Sequence, residues 1–237
     1  MKDKIIASVA SMPSRSSSLM ETVNSIVPQV DELHVYLNDY NIIPEYLNYD
    51  KIKIFLSQNE VGDLGDVGKF FTSGKIEGYH FTIDDDLIYP EDYVKNTIEV
   101  IEKYNRKCVV SYHGRRFHKF PISSYYRSAR VNDRFACLRD EKRFEWLHIG
   151  GSGVTAYHTD TIKFDVSDFK AKNMADIWYS KKCQENKVPI LHIPHKKGYI
   201  IESEQYDKNT SIFAHCHVDD TYQTNIINSI NWDLHRV

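Results

Sequence analysis

The sequence has no hydrophobic run long enough to cross a bilayer. Its first apolar stretch, Ile5 to Ala10, ends in polar residues and is too short for a signal-peptide core. Nothing later approaches the roughly 20 apolar residues of a membrane span. Cysteine is scarce: Cys108, Cys137, Cys183 and Cys216 are scattered with no C-x-x-C spacing. That pattern excludes a disulfide framework or a zinc knuckle and reads as reduced thiols in a reducing compartment. Neither sign of charge dominates, with 30 Lys and Arg against 33 Asp and Glu and a net charge of −3. Nothing therefore pulls the chain toward nucleic acid. No internal repeat and no Gly/Ser linker interrupts it. The expectation is a single domain over 1–237 with no transmembrane segment, cytoplasmic or at most peripheral on the inner face of a membrane.

What is present is an ordinary globular composition, 41% hydrophobic and 27% charged over 237 residues, enough for one sizeable core. The 16 Tyr, 11 Phe and 3 Trp can stack on sugar faces, but core packing accounts for most of them.

The first half alternates strand and helix patterns. Ile5 to Ala10 suits a strand buried on both faces. Ser18 to Glu21 has capping-box spacing before Leu19, Val23, Ile26 and Val27 at helical period. Alternating apolar residues mark strands at 33–37, 52–56 and 79–83. An amphipathic helix is expected after Pro90, ending near Asn105, and a further strand over 108–112. This order predicts an α/β fold with a mostly parallel central sheet flanked by helices. The second half is less regular. Arg115 to Arg143 is basic and aromatic with few periodic cues. A strand is expected at 154–157, a helix over 174–184, a buried strand over 188–193, a polar mobile loop over 196–220 and a short closing helix from Ile226.

The most informative segment is Tyr79 to Asp86, a buried strand leading into Asp84, Asp85 and Asp86. Ligands of open parallel sheets sit beyond the carboxyl ends of the strands. Three adjacent carboxylates repel one another unless something offsets their charge. Mg²⁺ or Mn²⁺ does so, and is commonly shared between one or two carboxylates and substrate phosphates. Strand alternation puts Asp84 and Asp86 on one face. The competing reading is a solvated acidic turn before the helix after Pro90.

The arrangement IDDDLIYPEDYV, taken with SMPSR, QVDELHVYLNDYNIIPEYL and GDVGKF, resembles bacterial GT-A nucleotide-sugar glycosyltransferases of capsule and lipopolysaccharide synthesis. It is most similar to the heparosan α-N-acetylglucosaminyltransferase type. The resemblance covers residues 5–103 and extends over 149–194. It implies a GT-A (Rossmann-like) domain, with 1–112 as nucleotide-binding half and 113–237 as acceptor-binding half. It also implies a UDP-sugar donor, Mn²⁺ or Mg²⁺, a glycan or glycolipid acceptor and a partner glycosyltransferase. Under it, Asp86 is the main metal ligand, Asp84 lies near the ribose and Asp85 is a supporting acceptor.

Gly62 to Phe70 is not a P-loop: five residues separate Gly62 from Gly68 where four are needed, and Phe70 stands where Ser or Thr should be. In the resembling family the matching segment faces the nucleotide. Asp66 then accepts hydrogen bonds from base or ribose, and Lys69 meets the diphosphate as a point charge. In the loop after the first strand, Pro13 and Arg15 suit a flat base or a phosphate, although a helix-start loop with a solvated Arg15 fits as well.

Asp176 precedes a helix and is the candidate catalytic carboxylate. In an inverting enzyme it would be the general base for the acceptor hydroxyl; in a retaining one it would orient the sugar or stabilise charge. Gly151, Ser152 and Gly153 permit close backbone approach to an acceptor sugar, with Trp146 and His148 nearby. His195, followed by Lys196 and Lys197, is the candidate further metal ligand, in competition with His215, Cys216 and His217. Two alternatives remain. A sugar-1-phosphate nucleotidyltransferase would want a glycine-rich loop after the first strand, which SMPSR lacks. A non-catalytic carbohydrate-binding module would explain the aromatics but not the aspartates.

Overall fold

The computed structural model describes residues 3–127, 132–212 and 218–237. Its strands are β1 (Ile5–Ser11), β2 (Glu32–Leu37), β3 (Ile52–Leu56), β4 (Tyr79–Ile83), β5 (Leu87–Ile88), β6 (Val109–Ser111), β7 (Gly114–Phe117), β8 (Asn132–Phe135), β9 (Glu145–Leu147), β10 (Ile149–Gly150), β11 (Val154–His158), β12 (Ile190–His192) and β13 (Ile201–Glu202). The helices are α1 (Ser16–Ile26), α2 (Tyr93–Lys103), α3 (Ala175–Glu185) and α4 (Thr221–Asn228).

Eight strands form one sheet in the order β3-β2-β1-β4-β11-β6-β12-β9. β1 pairs in parallel with β2 and β4, β2 with β3, and β6 with β12. Only β11 and β9 run against the rest. The α/β, mostly parallel sheet expected of a GT-A domain is therefore present.

Alternation along the strands divides the interior into two layers. Tyr79, Phe81 and Ile83 of β4 join Leu19, Val23 and Ile26 of α1 and Tyr93, Val94 and Ile101 of α2 in one core. On the other side, Tyr157 of β11 joins Phe70, Phe164, Trp178 and Tyr179, so α3 covers that face. The inward polar residue of β4, His80, is satisfied there by Ser8 Oγ at 2.8 Å and Tyr157 Oη at 2.6 Å. A buried imidazole needs such partners, and burial holds this one neutral, its pKa down to about 3.

The irregular second half builds a smaller antiparallel sheet, β10-β7-β8, over a third core of Phe117, Ile122, Tyr125, Ile149, Ile177 and Ile227. Here α4 and its N-cap pin the loop after β7: Asp220 Oδ2 accepts from Tyr126 N at 2.7 Å and Thr224 Oγ1 from Tyr125 N at 2.9 Å.

Two local expectations are corrected. α1 begins at Ser16 without a capping box; Ser18 Oγ donates to the Arg15 carbonyl at 3.0 Å, and Glu21 instead accepts from Ser203 Oγ. Residues 196–220 are not all loop, since β13 pairs antiparallel with β5, matching Ile201 to Ile88 and Glu202 to Leu87. That ladder ties the late segment to the residues just after the aspartates.

Candidate active site

The carboxyl ends of β1, β2 and β4 converge on a cavity of about 430 Å³. Ser11, Met12 and Arg15 line it after β1, Asn38 and Asp39 after β2, and Asp84, Asp85 and Asp86 after β4. This is the edge where sheet geometry places ligands.

The three aspartates are not equivalent. Asp85 is buried and Asp84 and Asp86 partly buried. Arg15 spans two of them, its Nη1 donating to Asp85 Oδ1 at 2.9 Å and Asp86 Oδ2 at 3.1 Å, and its guanidinium lies 4.7 Å from the centre of the Tyr206 ring. Burial pushes the Asp86 carboxyl up to about 7, helped by the charges of Asp84 and Asp85 and opposed by Arg15 and Lys69. Burial and the neighbouring carboxylates thus act in the same direction on Asp86, and the two cations oppose them.

Asp84 pairs with Lys69, which is buried with 3% of its side chain exposed. Lys69 resists its own burial, and the Asp84 and Asp66 charges raise its pKa above the ordinary value. The Asp84 backbone N–H donates to Tyr89 Oη at 3.0 Å, which in turn donates to the Gly153 carbonyl at 2.6 Å.

A second cavity of about 430 Å³ opens beside the first. His113, Arg115, Tyr125, Arg134, Ser152 and Asp176 are among its lining. Asp66, Lys69, Asp84, Asn173 and Ile212 line both cavities. The Lys69–Asp84 pair is therefore part of a common wall. Asp176 stands in the first turn of α3, and its Oδ1 accepts from Ser152 N at 2.6 Å.

The structure brings together Arg15, Lys69, Asp84, Asp85 and Asp86 around one cavity and Ser152 and Asp176 around the other. It reassigns several further residues. Asp66 borders both, but its carboxylate is engaged by the chain itself, Oδ1 accepting from Asn173 N at 2.6 Å and Oδ2 from Ala175 N at 2.9 Å. It caps the start of α3, and burial pushes its carboxyl up to about 6 despite Lys69 and those two amides. Pro13 is exposed at the first position of a 3-10 turn and outside the lining of the first cavity. Gly151 and Gly153 line neither cavity. A Cβ at Gly151 would lie 2.7 Å from His113 Cβ, and one at Gly153 would fall on the Asp84 carboxylate; both glycines make room for protein, not sugar.

His195 does not join the aspartates. Its Nδ1 is 2.9 Å from the Ile193 carbonyl and its Nε2 3.4 Å from that of Ala136, in a buried position against Tyr112. It lines neither cavity, nor do Lys196 and Lys197. Trp146 packs on Tyr104 and His148 Nδ1 accepts from Phe117 N at 3.0 Å. His215, Cys216 and His217 lie outside the described residues. Among the described residues, no three His, Cys, Asp or Glu side chains are grouped to hold a metal. The oxygen donors of Asp84 and Asp86 fit Mg²⁺ or Mn²⁺ only where substrate phosphates supply further ligands, which is a common arrangement for these ions.

Sequence reasoning missed Asn38 and Asp39. Asn38 fastens the glycine loop to β2, donating to Gly65 O and accepting from Leu64 N, both at 3.0 Å. The rule that singled out the loops after β1 and β4 applies equally to β2 and would have found them. It also missed Arg115, Arg134 and Arg139, which lacked any periodic cue.

No protein-family model matches the sequence, and no curated protein matches it. Solved structures do. The crystal structure of S. aureus TarS 1–349 aligns with a TM-score of 0.52 at 15% identity, covering 84% of this chain and 60% of that one. The same TarS fragment in complex with UDP-GlcNAc aligns with a TM-score of 0.54 at 15% identity, covering 88% of this chain and 60% of that one. The chain shares the TarS fold. It spans less than two thirds of the TarS fragment's length. Among the described residues, no helix is long and apolar enough to cross a membrane.

Proposed function

We propose that the chain is a metal-dependent glycosyltransferase that moves a hexose or N-acetylhexosamine from a UDP-sugar to a glycan of a surface polysaccharide. The observation that carries this reading is the pair of cavities sharing the Lys69–Asp84 wall. A two-substrate transfer needs a donor site and an acceptor site that meet at the reacting carbon, and two cavities with a common wall suit that need. TarS in complex with UDP-GlcNAc supports a UDP-sugar as the donor. The first cavity draws most of its lining from residues before 112 and the second most of its lining from residues after it, in keeping with a donor half and an acceptor half.

In this reading the nucleotide occupies the cavity of Arg15, Asn38, Asp39 and the aspartates. Asp86 and Asp84, with diphosphate oxygens, would hold Mg²⁺ or Mn²⁺, which supplies charge neutralisation for the leaving group. Lys69 presents its cation where the diphosphate meets the transferred sugar. Asp176, across the acceptor cavity, takes the proton of the attacking hydroxyl. The acceptor oxygen then bonds to the anomeric carbon, and the bond from that carbon to the phosphate oxygen breaks, its electrons leaving with UDP. Ser152 N, bonded to Asp176 Oδ1, fixes the carboxylate for that task.

The test is a panel of nucleotides and nucleotide sugars, with and without Mn²⁺, read by thermal shift and by release of UDP. Mn²⁺-dependent stabilisation by UDP and UDP-sugars supports the reading. A response to sugar-1-phosphates and nucleoside triphosphates instead would point to nucleotidyl transfer.

A further inference from the structure

Three arginines face the second cavity at residues that no part of the proposed chemistry uses. Arg115 on β7 and Arg134 on β8 are directly opposed in the antiparallel ladder, and both line the cavity with Arg139. Directly opposed like charges destabilise a β ladder. Among the described residues none of the three makes an ion pair with a carboxylate. Arg115 is buried; its Nη1 donates to the Tyr125 carbonyl at 2.9 Å, and its guanidinium sits 4.4 Å from the centre of the Tyr125 ring and 5.7 Å from that of Tyr126. Tyrosine faces and a carbonyl orient this cation without neutralising it. Partial desolvation, then Arg115 and Arg139, pull the Arg134 guanidinium below its ordinary value. The carboxylates of this cavity, Asp66, Asp84 and Asp176, are already bound to Lys69 or to backbone amides.

We propose that the Arg115, Arg134 and Arg139 end of the second cavity binds an oxyanion carried by the acceptor, a phosphodiester or a carboxylate. Guanidinium groups match such oxyanions in charge and fork geometry. The inference rests on the reading of this cavity as the acceptor site and narrows the acceptor to a glycan that carries a phosphodiester or a carboxylate.

The test is calorimetric titration of the whole chain with three probes: a glycerol phosphate oligomer, a disaccharide ending in glucuronic acid, and a neutral disaccharide of the same size. UDP binding with Mn²⁺ is measured separately on every sample. One anionic probe should bind at least about tenfold tighter than the neutral one. Arg134→Gln and Arg139→Gln, both at exposed positions, should each weaken it about tenfold and leave UDP affinity unchanged. Whichever anionic probe wins tells phosphodiester from carboxylate. Equal binding of the neutral probe, no binding of either anionic probe, or anionic binding indifferent to both substitutions would overturn the proposal. Failure of UDP to bind, with the arginine-dependent anion binding intact, would remove the donor-site reading and leave the oxyanion site standing.

Discussion

A Cβ on Gly153 would lie 1.7 Å from Asp84 Oδ2. The glycine turn before β11 therefore determines where the first carboxylate of the aspartate run can sit, and Tyr89 clamps both partners by bonding the Asp84 amide and the Gly153 carbonyl. A link of this kind joins a site residue to a loop about 70 positions later.

Gly153→Ala should fold, because the clash falls on a side-chain end that can swing away. It should nevertheless misplace Asp84 and lower sugar transfer by about 10²-fold, the scale of a 1 Å misplacement. Steady-state kinetics beside a thermal melt separates the two effects; normal turnover in a folded variant contradicts the assignment.

Lys69→Met removes the buried cation of the common wall. UDP affinity should fall by tenfold or more while uridine affinity changes little, since the charge meets phosphates and not the base. Equal losses for uridine and UDP in calorimetry would mean that the lysine only supports the loop.

Asp176→Asn keeps the size of the side chain and its bond to Ser152 N but removes the base. Transfer should drop by at least about 10²-fold with donor affinity nearly unchanged. A collapse of UDP-sugar binding would move Asp176 to the donor side.

Away from the site, Glu32 at the start of β2 receives Lys4, Lys53 at 2.8 Å and His34 at 3.0 Å. Burial alone would raise its carboxyl, but these hydrogen bonds win and hold it at about 2, below its ordinary 4.5. A depressed carboxyl contributes stability above pH 4.5 that is lost as pH falls toward 2. Discounted for the exposure of both lysines, Glu32→Gln should cost about 1–2 kcal/mol at pH 7. Urea titrations should show that difference shrinking by pH 3.

Much of the lining of the aspartate cavity was legible in the sequence because its signals are local. Period-two strands ending in aspartates, and a sheet rule that places ligands at strand ends, located Arg15 and Asp84–Asp86. For Asp66 the glycine loop gave no sign of its partners, the amides of Asn173 and Ala175, which lie more than 100 residues away. The same holds for Gly153, whose reason for lacking a side chain is Asp84. His195 drew attention as a metal-ligating type, yet its ring is taken by backbone carbonyls. Arg115 and Arg134 became a pair only once β7 and β8 were in register, and that hairpin left no alternation to read in NDRF and GRRF.

If the aspartate cavity is a metal-assisted UDP site that meets an acceptor site at the Lys69–Asp84 wall, Mn²⁺ must strengthen UDP binding through Asp86. Calorimetric titration of UDP into the wild-type chain and Asp86→Ala, with and without Mn²⁺, measures that dependence. UDP affinity should rise with Mn²⁺ in the wild type and lose that dependence in a folded Asp86→Ala variant. Unchanged Mn²⁺-dependent UDP affinity in the variant, or no UDP binding by the wild type, would contradict it.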